Sequence, residues 1–299
     1  MTYDVVVVGS GPAGLSAAVT LGRALRTVLV IDAGEPRNAP AAGVHNFLTR
    51  DGQSPSEFRA LGRTEVERYG GEFRDATVVA VTGEADAFEV HLADGSTVTA
   101  RRVLVTSGLK DVLPDIPGLA ERWGKTVLHC PYCHGFEVRG EAVGVIASGS
   151  MAMHAGLLWS QWTSDLMLFL NESFAPDEEQ TRKLTNRGVR LVPGRVTAVG
   201  DDGVHLADGT VIPRAHLVVQ TRLEGRADFL EPLGVKLVEH ATGNATHLAA
   251  EDPSGRTAVR GLWVAGNVTD PMAQVISAAA AGVGAGAMIN MDLVEADAG

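Results

Sequence analysis

The sequence predicts an α/β protein made of two copies of one nucleotide-binding plan, the second inserted into the first. Three observations predict it. A strand, a glycine turn and a helix open the chain and recur beyond residue 140. Each copy is followed by a hairpin containing "HLADG", at 91–95 and again at 205–209. A glycine- and alanine-rich segment at 261–282 is placed to close the first copy.

The opening "YDVVVVG" is continuously apolar, as a strand buried on both faces is. "GSGPAG" follows: Gly9, Ser10, Gly11, Pro12, Ala13 and Gly14, with the glycines in G-x-G-x-x-G spacing. "LSAAVTLGRAL" reads as a helix, and "RTVLVID" as a second strand that ends at Asp32, 18 residues after Gly14, with Ala33 next. A bare glycine motif also fits an ordinary turn between strand and helix. Motif, context and acid together predict a Rossmann-like dinucleotide site. The glycines admit a pyrophosphate to a helix N-terminus, and Asp32 accepts hydrogen bonds from a ribose.

"FEVHLADGSTVTARRVLVTSG" (88–108) reads as a hairpin turning at Asp94-Gly95 and then a returning strand. "EAVGVIASGSMAMHAGLL" (141–158) and "GVHLADGTVIPRAHLVVQTR" (203–222) repeat the plan. The second glycine turn is altered. It runs Ala147-Ser148-Gly149-Ser150-Met151-Ala152, and the Ala147 methyl is expected to hinder a tight turn or the approach of a pyrophosphate. The strand that should read the adenosine ribose ends "LMLFLNESF" (166–174), without an arginine for a 2′-phosphate. Glu172, 20 residues past Ala152, offers a ribose contact by spacing alone. The expected domains are 1–112 with 231–299, and an inserted 113–230 that carries both cysteines.

With 25 basic and 36 acidic residues the net charge is −11, which opposes binding to nucleic acid or to an anionic membrane. No apolar run is read as approaching the ~20 residues that span a bilayer. The N-terminus has no basic segment or cleavage site, so a cytoplasmic protein is expected. Two cysteines are too few for a disulfide scaffold.

Both cysteines lie in "LHCPYCHGFE" (128–137), with His129 before Cys130 and His134 after Cys133. Such a pair serves structure, metal or redox chemistry. Zinc usually takes four ligands, and histidines adjacent to ligating cysteines rarely reach the same ion, so no metal is expected. Pro131 suits the first turn of a helix and would put Cys130 at its N-terminus, where the thiol pKa falls. His134 is the candidate acid/base, because imidazole titrates near ~6.5. His129 is either a second such group or a hydrogen-bonded strand-end histidine. Trp159 and Trp162 either line a substrate pocket or pack the inserted domain or a dimer contact.

With "GSGPAG", "VTSG", "CPYCHG" and "GLWVAGNV" in place, the whole chain resembles the low-molecular-weight thioredoxin reductases. Those are FAD enzymes, with an inserted NADPH domain that carries the C-x-x-C. The resemblance implies FAD as cofactor and a homodimer. It sets Cys133 on the flavin side and Cys130 on the substrate side. It carries flavin contacts onto Asn46, Val79, Thr106, Ser107, Gly108, Gly266, Asn267, Gln274 and Val275. Asn267 stands where the reductases have aspartate, and its amide is expected to bond the ribityl hydroxyls. The reductases also have aspartate at the place of His134. This departure and the altered second motif resemble a subgroup, the dithiol oxidases of disulfide natural products. These close a small-molecule dithiol into a disulfide and pass the electrons to O2, giving H2O2. The other readings are a thioredoxin-type reductase fed by NAD(P)H or another donor such as ferredoxin, and a flavin-bearing redox sensor without turnover.

Overall fold

The protein is described from a computed structural model covering residues 1–149 and 151–299. Ser150, in the second glycine turn, lies outside the described residues. The chain forms two compact units, Met1–Asp111 with Leu223–Gly299, and Val112–Arg222.

The first unit begins with β1 (Thr2–Val8), α1 (Pro12–Arg23), β2 (Val28–Asp32), α2 (Pro55–Arg68), β3 (Glu72–Asp75), β4 (Val78–Thr82), β5 (Phe88–Leu92), β6 (Thr97–Val105) and β7 (Leu109–Val112). The second contains α3 (Leu119–Arg122), β8 (Val127–Leu128), α4 (Pro131–His134), β9 (Val143–Ile146), α5 (Ala152–Trp159), β10 (Leu166–Phe169) and α6 (Glu178–Asn186). It continues through β11 (Arg190–Val192), β12 (Val196–Gly200), β13 (Gly203–Leu206), β14 (Val211–Ile212) and β15 (His216–Val219). The chain then returns through β16 (Arg222–Gly225), β17 (Leu237–Glu239), β18 (Thr246–Leu248), β19 (Leu262–Val264) and α7 (Val275–Ala298).

The two units follow one plan. The first sheet runs β3-β2-β1-β6-β5-β4, with β19 also on β6; the second runs β11-β10-β9-β15-β8, beside a β12-β13-β14 meander. Both hairpins turn on Asp-Gly, with Gly95 at φ +83 and Gly209 at φ +87. Asp94 and Asp208 each accept a 2.9 Å hydrogen bond from the backbone N–H two residues on, at Ser96 and Thr210. The repeated "HLADG" is therefore a repeated turn chemistry.

The expected return to the first domain at 231 is too late. Ala227 and Leu230 are buried in the first unit's core, and Phe229 and Leu233 pack against it, so the return falls at Leu223. The four valines of β1 explain why that sheet is covered on both sides. Val5 and Val7 join α1 and α7 in one apolar cluster, and Val6 and Val8 join residues of β4, β5 and β6 in another.

The reading of apolar runs also needs correction. α7 has 24 residues and is long and apolar enough, by length and composition, to cross a membrane. In this fold its small residues lie against α1. A Cβ on Gly282 would sit 2.0 Å from the Ala13 carbonyl oxygen, and one on Gly286 would sit 3.0 Å from that of Ala17. Three arginines hold its last turns. Arg26 bonds Asn290 and Asp297, Arg101 bonds Asp297, and the fully buried Arg102 bonds Asp292.

Candidate active site

The first unit forms a nucleotide cradle at the C-terminal ends of β1 and β2. Gly9 takes φ +108, and its N–H donates to the Ile31 carbonyl at 2.8 Å. A Cβ there would lie 2.5 Å from the Thr106 oxygen, and one on Gly14 would lie 2.0 Å from the Gly9 oxygen. Glycine is required at both positions for α1 to sit so close to β1. Gly11 is different. It is the N-cap of α1, has no side-chain cap, and a Cβ there would meet nothing within 4 Å. Pro12 begins the helix, and Ala13 is buried behind it.

Asp32 is organised before any ligand arrives. The Ser10 N–H donates to its Oδ2 at 2.5 Å and the Gly34 N–H to its Oδ1 at 2.7 Å. Burial pushes this carboxyl up, but hydrogen bonds from Ser10 and Gly34 and the charge of Arg59 outweigh it and hold the pKa below the usual range. Ala33 follows, exposed. Val79 is exposed on β4, just past Ala76, whose N–H donates to the Asp32 carbonyl at 2.9 Å. The Thr106 hydroxyl points at the Gly9 and Val8 carbonyls at 2.8 and 3.0 Å, and that of Ser107 donates to the Arg226 carbonyl at 2.5 Å. The Gly108 carbonyl accepts from the Arg226 N–H at 3.1 Å. These hydroxyls brace the cradle wall, which leaves backbone groups to meet a cofactor.

The opposite wall is the turn into α7. Gly266 takes φ +79, and a Cβ there would lie 2.8 Å from that of Ala13. Gln274 is the N-cap of α7, without a side-chain cap, and Val275 is the first helical residue. Asn46, at φ +61, reaches the Gln274 Oε1 from its Nδ2 at 3.4 Å. The expectation for Asn267 changes. Its Nδ2 donates to the Asp270 and Ala273 carbonyls at 3.1 and 2.8 Å, so the amide nitrogen is spent on shaping the turn. An aspartate cannot donate there. Only Oδ1 remains to meet a cofactor hydroxyl.

The uncapped start of α1, an open Cβ direction at Gly11 and an ionised acid at the end of β2 suit the ADP half of a dinucleotide.

The second unit has the matching framework without the matching groups. The Ala147 N–H donates to the Phe169 carbonyl at 2.9 Å, the counterpart of the bond from Gly9 to Ile31. That register aligns Ala147 with Gly9, Ala152 with Gly14, and Leu170 with Asp32. The position of the ribose acid is therefore apolar, and Glu172 lies two residues beyond it with φ +50. The Asn171 Nδ2 and the Ser173 hydroxyl both donate to the Ala147 carbonyl, at 3.1 and 2.8 Å. The Asn171 Oδ1 accepts from the Val196 N–H at 2.8 Å. Side chains at the end of β10 are thus consumed internally.

The redox turn lies in this unit. Cys130 is the extended N-cap of α4, which has only four residues, so the helix field expected at its sulfur is weaker than a longer helix would supply. Cys130, Cys133 and His134 are all half-buried. The His129 Nδ1 lies 3.2 Å from the Val219 carbonyl. A carbonyl only accepts, so Nδ1 carries the proton and ties the end of β8 to the end of β15. Trp159 belongs to the core, 1% exposed. Trp162 packs under the turn, where a Cβ on Gly135 would lie 2.9 Å from its ring. Tyr132 meets Trp162 edge-on with ring centres 5.9 Å apart. Among the described residues, no three His, Cys, Asp or Glu side chains gather into a metal-holding group.

Residues 3–282 match the pyridine nucleotide-disulphide oxidoreductase family. The chain belongs to that family. Its cofactor is FAD, and its chemistry is that of an oxidoreductase acting on sulfur groups. Among similar proteins, thioredoxin reductase sirT of Leptosphaeria maculans is 34% identical, over 99% of this chain and 95% of its own length. The crystal structure of an oxidoreductase from Agrobacterium tumefaciens superimposes with TM-score 0.93 at 38% identity, covering 98% of this chain and 99% of that one. That of HlmI gives 0.91 at 42% identity, covering 99% and 94%.

Sequence reasoning did not find Arg59 of α2, whose Nη2 lies 3.1 Å from the Asp32 Oδ1 and 3.2 Å from the Ser10 hydroxyl. An arginine on an amphipathic helix has no sequence signature that would single it out.

Proposed function

We propose that this FAD oxidoreductase is a dithiol oxidase, which closes a small-molecule dithiol into a disulfide with O2 as electron acceptor. The observation that carries the reading is the contrast between its two cradles. The first retains glycines and acid, whereas the second has Leu170 at the acid's place and Ala147 and Ala152 at two of the glycines. A reductase fed by NAD(P)H needs a nicotinamide nucleotide there; an oxidase does not.

In this reading a disulfide joins Cys130 and Cys133 in the oxidised protein. One substrate thiol loses its proton to His134, and the thiolate attacks the Cys130 Sγ. The Cys130–Cys133 bond breaks, and Cys133 leaves as a thiolate. The second substrate thiol, deprotonated in turn, attacks the substrate sulfur of the mixed disulfide. The cyclic disulfide departs, and Cys130 is left as a thiolate. FAD, held by the first unit's cradle, would supply the two-electron acceptor for the thiolate pair and the link to O2. The cysteine bridge re-forms, and the two thiol protons leave in H2O2. Thiol exchange is close to balanced, with ~30 mV equivalent to about 1.4 kcal/mol for two electrons, so the oxygen step gives the direction.

Tyr132 and Phe136 support a small apolar substrate. They are 57% and 65% exposed on the redox turn, yet both are held, Tyr132 by Trp162 and Phe136 by the Arg139 guanidinium 4.0 Å over its ring. A homodimer is part of the proposal. Ile276, Val283, Met291 and Val294 form an exposed apolar stripe along α7 that a second copy would cover. The name of sirT favours a thioredoxin-type reductase as the second reading.

Oxygen uptake separates the two. With a small dithiol, one O2 should be consumed and one H2O2 formed per disulfide. A protein that takes up no oxygen but reduces a disulfide at the expense of NADPH is a reductase.

A further inference from the structure

We infer that Arg59 is a third element of the FAD site, a cationic clamp from α2 on the ADP half of the cofactor. α2 begins at a Ser54 cap, whose side chain accepts from the Glu57 N–H, so Arg59 is set in the second turn of a well-started helix. Its Nη2 spans two parts of the cradle, the Asp32 Oδ1 at 3.1 Å and the Ser10 hydroxyl at 3.2 Å. Ser10 is fully buried, and the Arg59 and Asp32 side chains are 21% and 13% exposed.

The charges explain why the cradle needs it. Asp32 is an anion at the rim of a site for a pyrophosphate, which carries two negative charges. The uncapped start of α1 offsets only part of that repulsion. A guanidinium within hydrogen-bond distance of Asp32 neutralises the carboxylate and keeps it oriented as a ribose acceptor. Both contacts use Nη2, so Nε and Nη1, on opposite edges of the guanidinium, can each donate a single charged hydrogen bond to a cofactor oxygen.

The experiment measures release of FAD from the purified holoprotein on dilution, by the rise in flavin fluorescence, at low and high NaCl. Arg59→Met should release FAD about 10- to 100-fold faster than the unaltered protein. It should also lose most of the salt dependence, because the ionic contact is gone. Arg59→Lys keeps the charge but loses the guanidinium's several donors, and should fall between the two. If Arg59 merely ties α2 to β2, Arg59→Met will lower the thermal midpoint while FAD release and its salt dependence stay unchanged, and that result overturns the inference. Should Arg59→Met fail to fold, Arg59→Lys carries the test alone: release at the unaltered rate at both salt concentrations overturns the inference, and faster release supports it.

Discussion

Cys130→Ser and Cys133→Ser each abolish flavin reduction by a dithiol, by on the order of 10³-fold or more, while both proteins keep their FAD. The scheme needs two sulfurs in sequence, one to accept the substrate and one to leave, and serine supplies neither a stable leaving group nor a disulfide partner. The cradle residues lie in the first unit and both cysteines in the second, so cofactor content is a separate readout. The two variants should differ in colour. If Cys133 is the flavin-side sulfur, Cys130→Ser retains a thiolate that adds long-wavelength absorbance to the flavin spectrum, and Cys133→Ser lacks it. The opposite pattern exchanges the roles of the two cysteines. Undiminished flavin reduction in either variant means that the pair is not the entry point for electrons.

Gly11→Val yields a folded protein without flavin. Gly11 takes φ −72 and ψ −179, which any residue can adopt, and a Cβ there meets nothing within 4 Å. The polypeptide therefore tolerates the side chain, and only a pyrophosphate at the start of α1 collides with it. Gly14→Val makes the contrast. Its Cβ would lie 2.0 Å from the Gly9 oxygen, so that variant fails through the fold. Circular dichroism and flavin content after purification check both. A Gly11→Val protein with a full complement of FAD would contradict this placement of the cofactor.

Much of the site was legible in the sequence because its requirements are local. Gly9 and Gly14 are dictated by close backbone approach and Asp32 by the end of a strand, and the four valines of β1 announce a sheet covered on both faces. What was not legible depends on register and on contacts across the sequence. Counting forward from Ala152 pointed to Glu172, whereas the pairing of Ala147 with Phe169 sets Leu170 in the acid's place. That count relied on spacing rather than strand register. That the Asn267 amide nitrogen bonds the carbonyls of the turn before α7, leaving Oδ1 for a cofactor hydroxyl, depends on a turn the sequence does not mark. Arg59 is 27 residues from Asp32 and meets it only through the packing of α2. The domain return at Leu223 was missed because Ala227 and Leu230 become core residues through tertiary packing, without any periodic pattern to mark them.

The most direct test of the central claim, that electrons enter as a dithiol and not as a hydride, is an anaerobic titration of the purified flavoprotein followed by air. Portions of the protein receive NADPH, NADH or a small dithiol while the flavin absorbance is followed. The dithiol should bleach the flavin, neither nicotinamide should do so at a comparable rate, and air should restore the oxidised spectrum with formation of H2O2. Rapid bleaching by NADPH, with the dithiol inert, would contradict that claim and return the protein to the reductases.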